Sequence, residues 1–580
     1  MKARILGIVV TASILGAGFM FWRSTTTPDF AGNVSPSVPH RGGQLVGSIR
    51  AVPKSFDWIV SREQTTELLS FLTQGRLVRI NRATFELEPR LAESWDASPD
   101  GRTFTLHLRQ NLTWSDGVPF TSADVLFTFQ AALDPKSESV IADQLTIGGK
   151  PIAATAPDAN TVVLTYPAPS GLGLRLLDPL TILPKHKLEA ALAAGTFVSA
   201  WNSATPPSEI VGMGPFMLRD YVPSQRMVLE RNPRYWRKAA DGTQLPYLDR
   251  IVLEVVPDQD AELLRLQSGD IDMTMGELRP DDYVAARRAE DQGKLKVTEL
   301  GVSTNADAFW FCLKPDAWKK DPRFAFVSKP EFRQAISYAV DREAFAENVF
   351  LGAAVPIWGP ITPGNKNWFS PNIKRYPHSL DKAKELLKSI GLENRDADEW
   401  LEDDKGTEAR FTLLSYRGNS NLERSSFVLR DELKKIGIDV DVQLLEQGAL
   451  LDRMVNTGKF ESIFFLFSMT SLDPAMNSDF WLSSGSAHVW NIAEKTPATD
   501  WERDIDKLIN RMASSGDVEQ RKSVFNEAQQ ILAENVPVLF FVTQRLYMGV
   551  STRVGSLQPS FLRPQLLWSA DTISVAPGSK

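Results

Sequence analysis

The side chains best suited to chemistry are few and scattered. Five histidines stand at His40, His107, His186, His378 and His488, and no two share the spacing that puts metal ligands on one helix face. Cys312 is the one cysteine, which leaves neither an intramolecular disulfide nor a cysteine-based zinc site. Nothing matches a Gly-x-Ser-x-Gly nucleophile elbow or a His-Glu-x-x-His zinc helix. Gly148-Gly149-Lys150 runs into Pro151, which spoils a phosphate loop, and Gly212-Met213-Gly214 lacks the third glycine of a dinucleotide fingerprint. Leu482-Ser483-Ser484-Gly485-Ser486 is close to an ATP-motor signature, but no Walker motif accompanies it. Asp403 and Asp404 lie in a polar loop, where carboxylates are solvated. The chain therefore assigns no catalytic residue, no cofactor and no resident metal. What remains is binding chemistry. The stretch from Asn477 to Asn491 is dense in glycine, serine and aromatics, and Asn477, Trp481, Ser483, Ser484, His488, Trp490 and Asn491 are its candidate ligand contacts. Plain structure suits the same stretch, with Trp481 and Trp490 as core and the serines as turn formers.

The elements that would position those residues follow from periodicity. Thr103–Arg109 alternates apolar and polar between two turn signals and reads as a strand with His107 on its polar side. Asp260–Ser268 reads as a short helix closed by Gly269. Ser328, Pro330 and Glu331 suggest a capping box ahead of a helix through Phe332, Ala335, Ile336, Ala339 and Val340. Strand and helix patterns then alternate: Phe411–Tyr416, a helix ending at Gly437, Ile438–Leu444, a helix at 449–457, and Ile463–Phe467. That order argues for an α/β lobe with largely parallel pairing. Two helices, through Ile505 to Met512 and Val524 to Leu532, precede an apolar strand at Pro537–Val542. Cys312, between Phe311 and Leu313, reads as an inert buried thiol.

The whole chain sets the context. Its 580 residues exceed the ~150-residue domain prior several times over, and 43% hydrophobic with 23% charged residues is ordinary for a globular protein. A net charge of −7 gives no footprint for nucleic acid. Lys2 and Arg4 precede an apolar run from Ile5 to Trp22, the form of an export signal or an N-terminal anchor. The body is accordingly expected outside the cytoplasm, in a periplasm or on the outer face of the cytoplasmic membrane.

Five blocks in order then carry a resemblance. Leu91–Ser122 reads LAESWDASPDGRTFTLHLRQNLTWSDGVPFTS, and Gly212–Trp236 reads GMGPFMLRDYVPSQRMVLERNPRYW. Asp249–Asp272 ends in QSGDID, Phe332–Pro356 reads FRQAISYAVDREAFAENVFLGAAVP, and Ile505–Val538 contains QRKSVFNEAQQILAENVPV. Together they resemble the extracellular solute-binding proteins of family 5, the peptide, oligopeptide and nickel binders of ABC importers. The resemblance implies a two-lobed α/β periplasmic-binding-protein fold with a hinge and an extra subdomain inserted in the first lobe. Carried onto this chain, it gives 1–23 as signal peptide or membrane anchor, 24–42 as linker, and 43–301 as first lobe with its insert at about 75–205. The second lobe is 302–535, and 536–580 returns to the first.

The resemblance also implies a function: a monomeric binder that closes on a peptide or oligopeptide and hands it to a membrane permease driven by a cytosolic ATPase. Alternatives are an oligosaccharide or metal-chelate binder, a membrane-tethered receptor, or a secreted hydrolase. In the family the segment after the last inner strand of the second lobe faces the cleft, which here makes Thr470 and Asp473 candidates. Dipeptide binders of the family carry an acid three residues before that aspartate to pair with the peptide ammonium; this chain has Thr470. The family's first-lobe glycine-threonine-glycine is altered to Gly212-Met213-Gly214, which adds Met213 to the candidates.

Overall fold

The computed structural model describes residues 39–577 apart from 62, 148, 315, 316, 319, 320, 469–471 and 493. The apolar run Ile5–Trp22 and the candidate Thr470 thus lie outside the described residues. Among the described residues, no helix is long and apolar enough to cross a membrane.

One hydrophobic core gathers side chains from Leu45 to Leu300 and again from Met548 to Val575. Its main sheet orders strand Gln44–Ile49, then Arg250–Val255 parallel to it, then Arg226–Arg231 and Phe216–Val222, both antiparallel. A second four-stranded sheet is antiparallel throughout and contains Thr103–Leu108 between Ala92–Ala97 and Thr161–Thr165. The expected alternation is there: Phe104, Leu106 and Leu108 are buried, while Thr105 and His107 face outward. His107 pairs with Asp96 at 2.9 Å on that outer side.

Gly212 and Gly214 have a packing role. A Cβ at Gly212 would sit 1.8 Å from the Thr73 carbonyl oxygen, and one at Gly214 would sit 2.5 Å from that of Leu72. The pair lets the chain press against the end of helix Gln64–Thr73, where Gly214 N donates to Thr73 O at 2.9 Å. Met213 between them is buried in the core.

A five-stranded sheet organises the remaining residues, in the order Asp439–Leu445, Arg410–Tyr416, Ser462–Ser468, Asn305–Phe311, Val538–Phe540. The first two neighbour pairs are parallel and the other two antiparallel, so the sheet is mixed where sequence periodicity suggests largely parallel pairing. The reason is connectivity. Asn305–Phe311 enters the sheet, and Val538–Phe540 leaves it, by extended chain and not through a crossover helix. Alternating side chains divide two cores across this sheet. Phe309, Phe311, Phe411, Leu413 and Phe464 face one side, and Ala308, Trp310, Leu414 and Ile463 face the other.

Helix starts differ from expectation in one instructive place. Pro330–Ala339 begins with Pro330 in its first turn, but its N-cap is Lys329 and makes no side-chain cap bond. Ser328 is used instead to end the short helix Phe324–Val327, so the Ser328–Glu331 capping box does not form. A true box caps Asp500–Ser514, between Thr499 and Glu502. The 449–457 helix is an α-turn, Gln447–Leu451, running into a π-helical turn, Asp452–Thr457.

Two strands carry the chain between the two bodies. Lys296–Val302 leads directly into Asn305–Phe311, and Val538–Phe540 leads through Phe541 into Val542–Val550. Lys296–Val302 and Val542–Val550 pair antiparallel, so the two crossings lie side by side. Thr543 Oγ1 ties them, its single O–H within donating distance of Ser303 O at 2.9 Å and Asn305 O at 2.7 Å.

Candidate functional site

A cavity of about 660 Å³ opens between the two bodies. One wall comes from helix Gln64–Thr73 (Glu67), the turn between strands Val78–Ile80 and Leu87–Pro89 (Arg82, Glu86), the segment 171–179 (Arg175, Asp178) and Arg563. The opposite wall supplies Asn365, Trp368, Asp473, Arg521 and Lys522. A volume of this size is within the ~300–1,000 Å³ range of small-molecule sites, and its charges are of both signs.

Most of those charges are already matched. Asp178 receives Arg82 Nη1 at 2.9 Å and the Ile80 backbone N–H at 2.6 Å. Asp473 receives Arg521 Nη2 at 2.5 Å and caps the short helix Pro474–Asn477 through the Ala475 N–H at 3.0 Å. Arg521 is 2% exposed, lies over the Trp368 ring at 5.0 Å, and donates from Nη1 to Gly171 O at 2.9 Å. That last bond reaches across the cavity, so the two walls touch in this conformation. Three polar atoms at the cavity have no hydrogen-bond partner within the described residues: Gln144 Oε1, Asn365 Oδ1 and Arg521 Nε. Glu67 is half-buried and its carboxylate has no hydrogen bond or ion pair among the described residues. Burial pushes that carboxyl above its ordinary range, against the pull of Arg82, Arg563 and Arg76.

Of the described residues singled out from sequence, only Asp473 lines this cavity. Asn477 is buried beside it and donates from Nδ2 to Asp473 O at 3.3 Å. Trp481 and Trp490 belong to the core on one face of the five-stranded sheet, Trp481 edge-on to Phe525 and Trp490 edge-on to Phe480. Ser483 is buried and bonds Asp506, while Ser484 is exposed. Asn491 is buried, its N–H donating to His488 O at 2.9 Å. Met213 packs in the first core, 3% exposed.

His488 lies in a second group of interest. Its ring packs tilted against Trp490, centroids 3.9 Å apart, and approaches Glu502 Oε1 at 3.5 Å, and candidate ligand atoms of His488, Glu494 and Glu502 lie within 4.8 Å of one another. Glu502 is fully engaged: Trp490 Nε1 donates to Oε1 at 2.9 Å, and the Thr499 N–H and hydroxyl donate to Oε2 at 2.9 and 2.7 Å. Burial pushes the Glu502 carboxyl up, but the donors from His488, Trp490 and Thr499 outweigh it and hold it below the usual range. The Glu494 carboxyl goes the other way, pushed up to about 7 by burial and the neighbouring Glu502 charge. Spent on donors, Glu502 ties the 488–491 loop to helix Asp500–Ser514 and leaves little capacity for a cation.

The residues that build the cavity carry no local signature. Glu67, the Arg175–Asp178 turn, Asn365 and Arg521 are far apart in sequence. Only the fold brings them together.

Comparison with known proteins follows the same lines. The family of bacterial extracellular solute-binding proteins, family 5 middle, matches residues 86–488. A probable ABC transporter-binding protein of Deinococcus radiodurans is 27% identical, covering 97% of this chain and 96% of that protein. The oligopeptide-binding protein AppA of Bacillus subtilis is 26% identical over 89% of each chain. Among solved structures, the ABC transporter substrate-binding protein CtaP of Listeria monocytogenes superimposes with a TM-score of 0.74 at 22% identity, covering 92% of this chain and 99% of that one.

Proposed function

Because the chain belongs to family 5 of the bacterial extracellular solute-binding proteins, which has a two-lobed α/β fold, we propose that it is the substrate-binding component of an ABC importer and captures a peptide or oligopeptide. The observation that carries this reading is the cavity of about 660 Å³ walled by both lobes, with mixed charges and a direct bond from Arg521 to Gly171 across it. A site whose halves come from two bodies joined by two adjacent strands is suited to closing on a solute and reopening. Binding and release are what it does; the permease and ATPase supply transport. The oligopeptide reading draws on AppA of Bacillus subtilis, which covers most of the chain.

In this reading the first lobe is 43–301 with its insert at about 75–205, the second is 302–535, and 536–580 returns to the first. Core membership supports this division in outline, since Met548 to Val575 join the core of residues 45–300 while Ala306 to Val542 build the other two, which keeps 536–542 with the second lobe and returns the chain to the first only after Val542. The hinge is the pair of crossings at Ser303–Thr304 and Phe541. The basic and apolar start of the chain exports it, and the monomer works on the outer side of the cytoplasmic membrane. Asp473 shapes the cleft wall, and Thr470 belongs to the same segment.

Native mass spectrometry of full-length protein purified without refolding tests the reading, with release and identification of bound mass. A heterogeneous set of peptides is expected. A single defined non-peptide solute would overturn the peptide ligand and leave the importer role, an outcome that Thr470 in place of the family's acid keeps in view. Turnover of a released solute by the protein itself would replace binding with hydrolysis.

A further inference from the structure

The cleft holds carboxylates on both walls, and their partners decide what each can offer a ligand. Asp178 is spent on Arg82 and the Ile80 N–H, and Asp473 on Arg521 and the Ala475 N–H. Glu86 is exposed, so water solvates it whether or not a ligand is present. Glu67 is different. It projects from the first turn of helix Gln64–Thr73 into the cavity, half-buried, and among the described residues its carboxylate meets no donor and no cation within ion-pair distance. The arginines whose field reaches it are engaged elsewhere or solvated. Arg82 is bound to Asp178, Arg76 donates to Ser70 and the Asp178 carbonyl, and Arg563 is exposed. A carboxylate that is desolvated without a partner is costly, and a cation delivered with the ligand removes the cost.

We propose that Glu67 is the residue that receives the ligand's positively charged amino group, so that the ammonium is bound from the first lobe. This rests on the peptide reading above and deepens it. Two observations converge on it: Asp473 on the opposite wall is neutralised inside its own lobe by Arg521, and Asp178 on the Glu67 wall is neutralised by Arg82. Burial raises the Glu67 carboxyl, and the fields of Arg82, Arg563 and Arg76 offset that only in part. The ligand's opposite charge has a place on the same wall, because the Arg175 guanidinium donates only to the Phe85 carbonyl and pairs with no carboxylate among the described residues.

The test is a binding comparison on the full chain, using mixtures of random tri- to pentapeptides with a free amino terminus and the same mixtures N-acetylated. The wild type is expected to prefer the free amine by roughly tenfold or more, the scale of a charge-assisted hydrogen bond in a part-buried site. Glu67→Gln is expected to bring the two affinities within about threefold of each other, while Glu67→Asp, which keeps the charge, retains part of the preference. Unfolding temperatures of the ligand-free variants no lower than that of the wild type establish that folding is not the cause. Peptide binding whose amine preference survives in E67Q overturns this inference and leaves the peptide reading standing. No binding of either mixture to the wild type overturns both.

Discussion

At the scale of single residues, buried charge is the most legible source of behaviour. Asp307 lies on strand Asn305–Phe311 at 4% exposure, with Ser425 Oγ donating to Oδ2 at 3.1 Å. Burial pushes its carboxyl up to about 7, and the Ser425 bond recovers only part of that. The folded state therefore holds a proton that the unfolded chain releases near pH 4, so stability falls as pH rises between the two values. With a shift of about three units the loss reaches ~4 kcal/mol above pH 7. Asp307→Asn keeps shape and hydrogen bonding without the charge; it should match the wild type at pH 4 and melt several degrees higher at pH 8, read by thermal unfolding across that range. Arg521 is the converse case. Truncating it to methionine removes the cationic partner of the buried Asp473 carboxylate, and urea unfolding should show a loss of ~3–5 kcal/mol. The candidates drawn from Asn477–Asn491 show what sequence reading could and could not see at this scale. Aromatics and polar groups in one stretch suit a ligand wall, but here the polar atoms satisfy one another, Ser483 on Asp506 and Trp490 on Glu502. Residue type announces capacity for contact. It does not announce which contacts are already filled, and Glu67 escaped notice because its significance is a missing partner.

Elements were easier to read, because their signals are periodic and local. The strand at Thr103–Leu108, the helix closed by Gly269 and the two long helices Asp500–Ser514 and Val518–Asn535 follow directly from side-chain spacing. Signals failed where two elements competed for one residue, as Ser328 ends one helix and so cannot cap the next. Strand direction in the five-stranded sheet also lay beyond spacing, since alternation is the same for parallel and antiparallel neighbours. The two crossing strands are the elements with most mechanical consequence. Thr543 is 1% exposed, and its hydroxyl is within bonding distance of two carbonyls on the adjacent crossing, Ser303 and Asn305. Thr543→Val preserves the volume and removes the tie. The expected cost is about 1–2 kcal/mol in urea unfolding, with the strand ladder itself intact. A loss no larger than that of a surface threonine would mean the crossings are held by backbone pairing alone.

At the scale of the whole molecule, one glycine reports on closure. Gly171 belongs to the first-lobe wall, and a Cβ built there would lie 2.6 Å from the Ser515 carbonyl oxygen and 2.8 Å from Arg521 Nε on the opposite wall. Both contacts are across the cleft, one of them with backbone that cannot swing aside. Gly171 has no positive φ, so alanine is free of backbone strain and the clash exists only when the lobes meet. Gly171→Ala should therefore act on one state of the molecule. The open form keeps its contacts and its unfolding temperature, while the closed form must either separate its walls or shift the buried Arg521 that also holds Asp473. If closure is what captures the solute, the population able to hold it falls, and the apparent affinity falls in proportion. A penalty of about 1–2 kcal/mol at such a contact corresponds to roughly a 5- to 30-fold loss of affinity for the peptides recovered from the wild type. Small-angle scattering supplies the independent reading, since the ligand-induced contraction of the wild type should be smaller in the variant. A variant that binds and contracts like the wild type would show that the Gly171–Arg521 contact is not part of the ligand-bound state, and the capture mechanism would have to close elsewhere along the cleft.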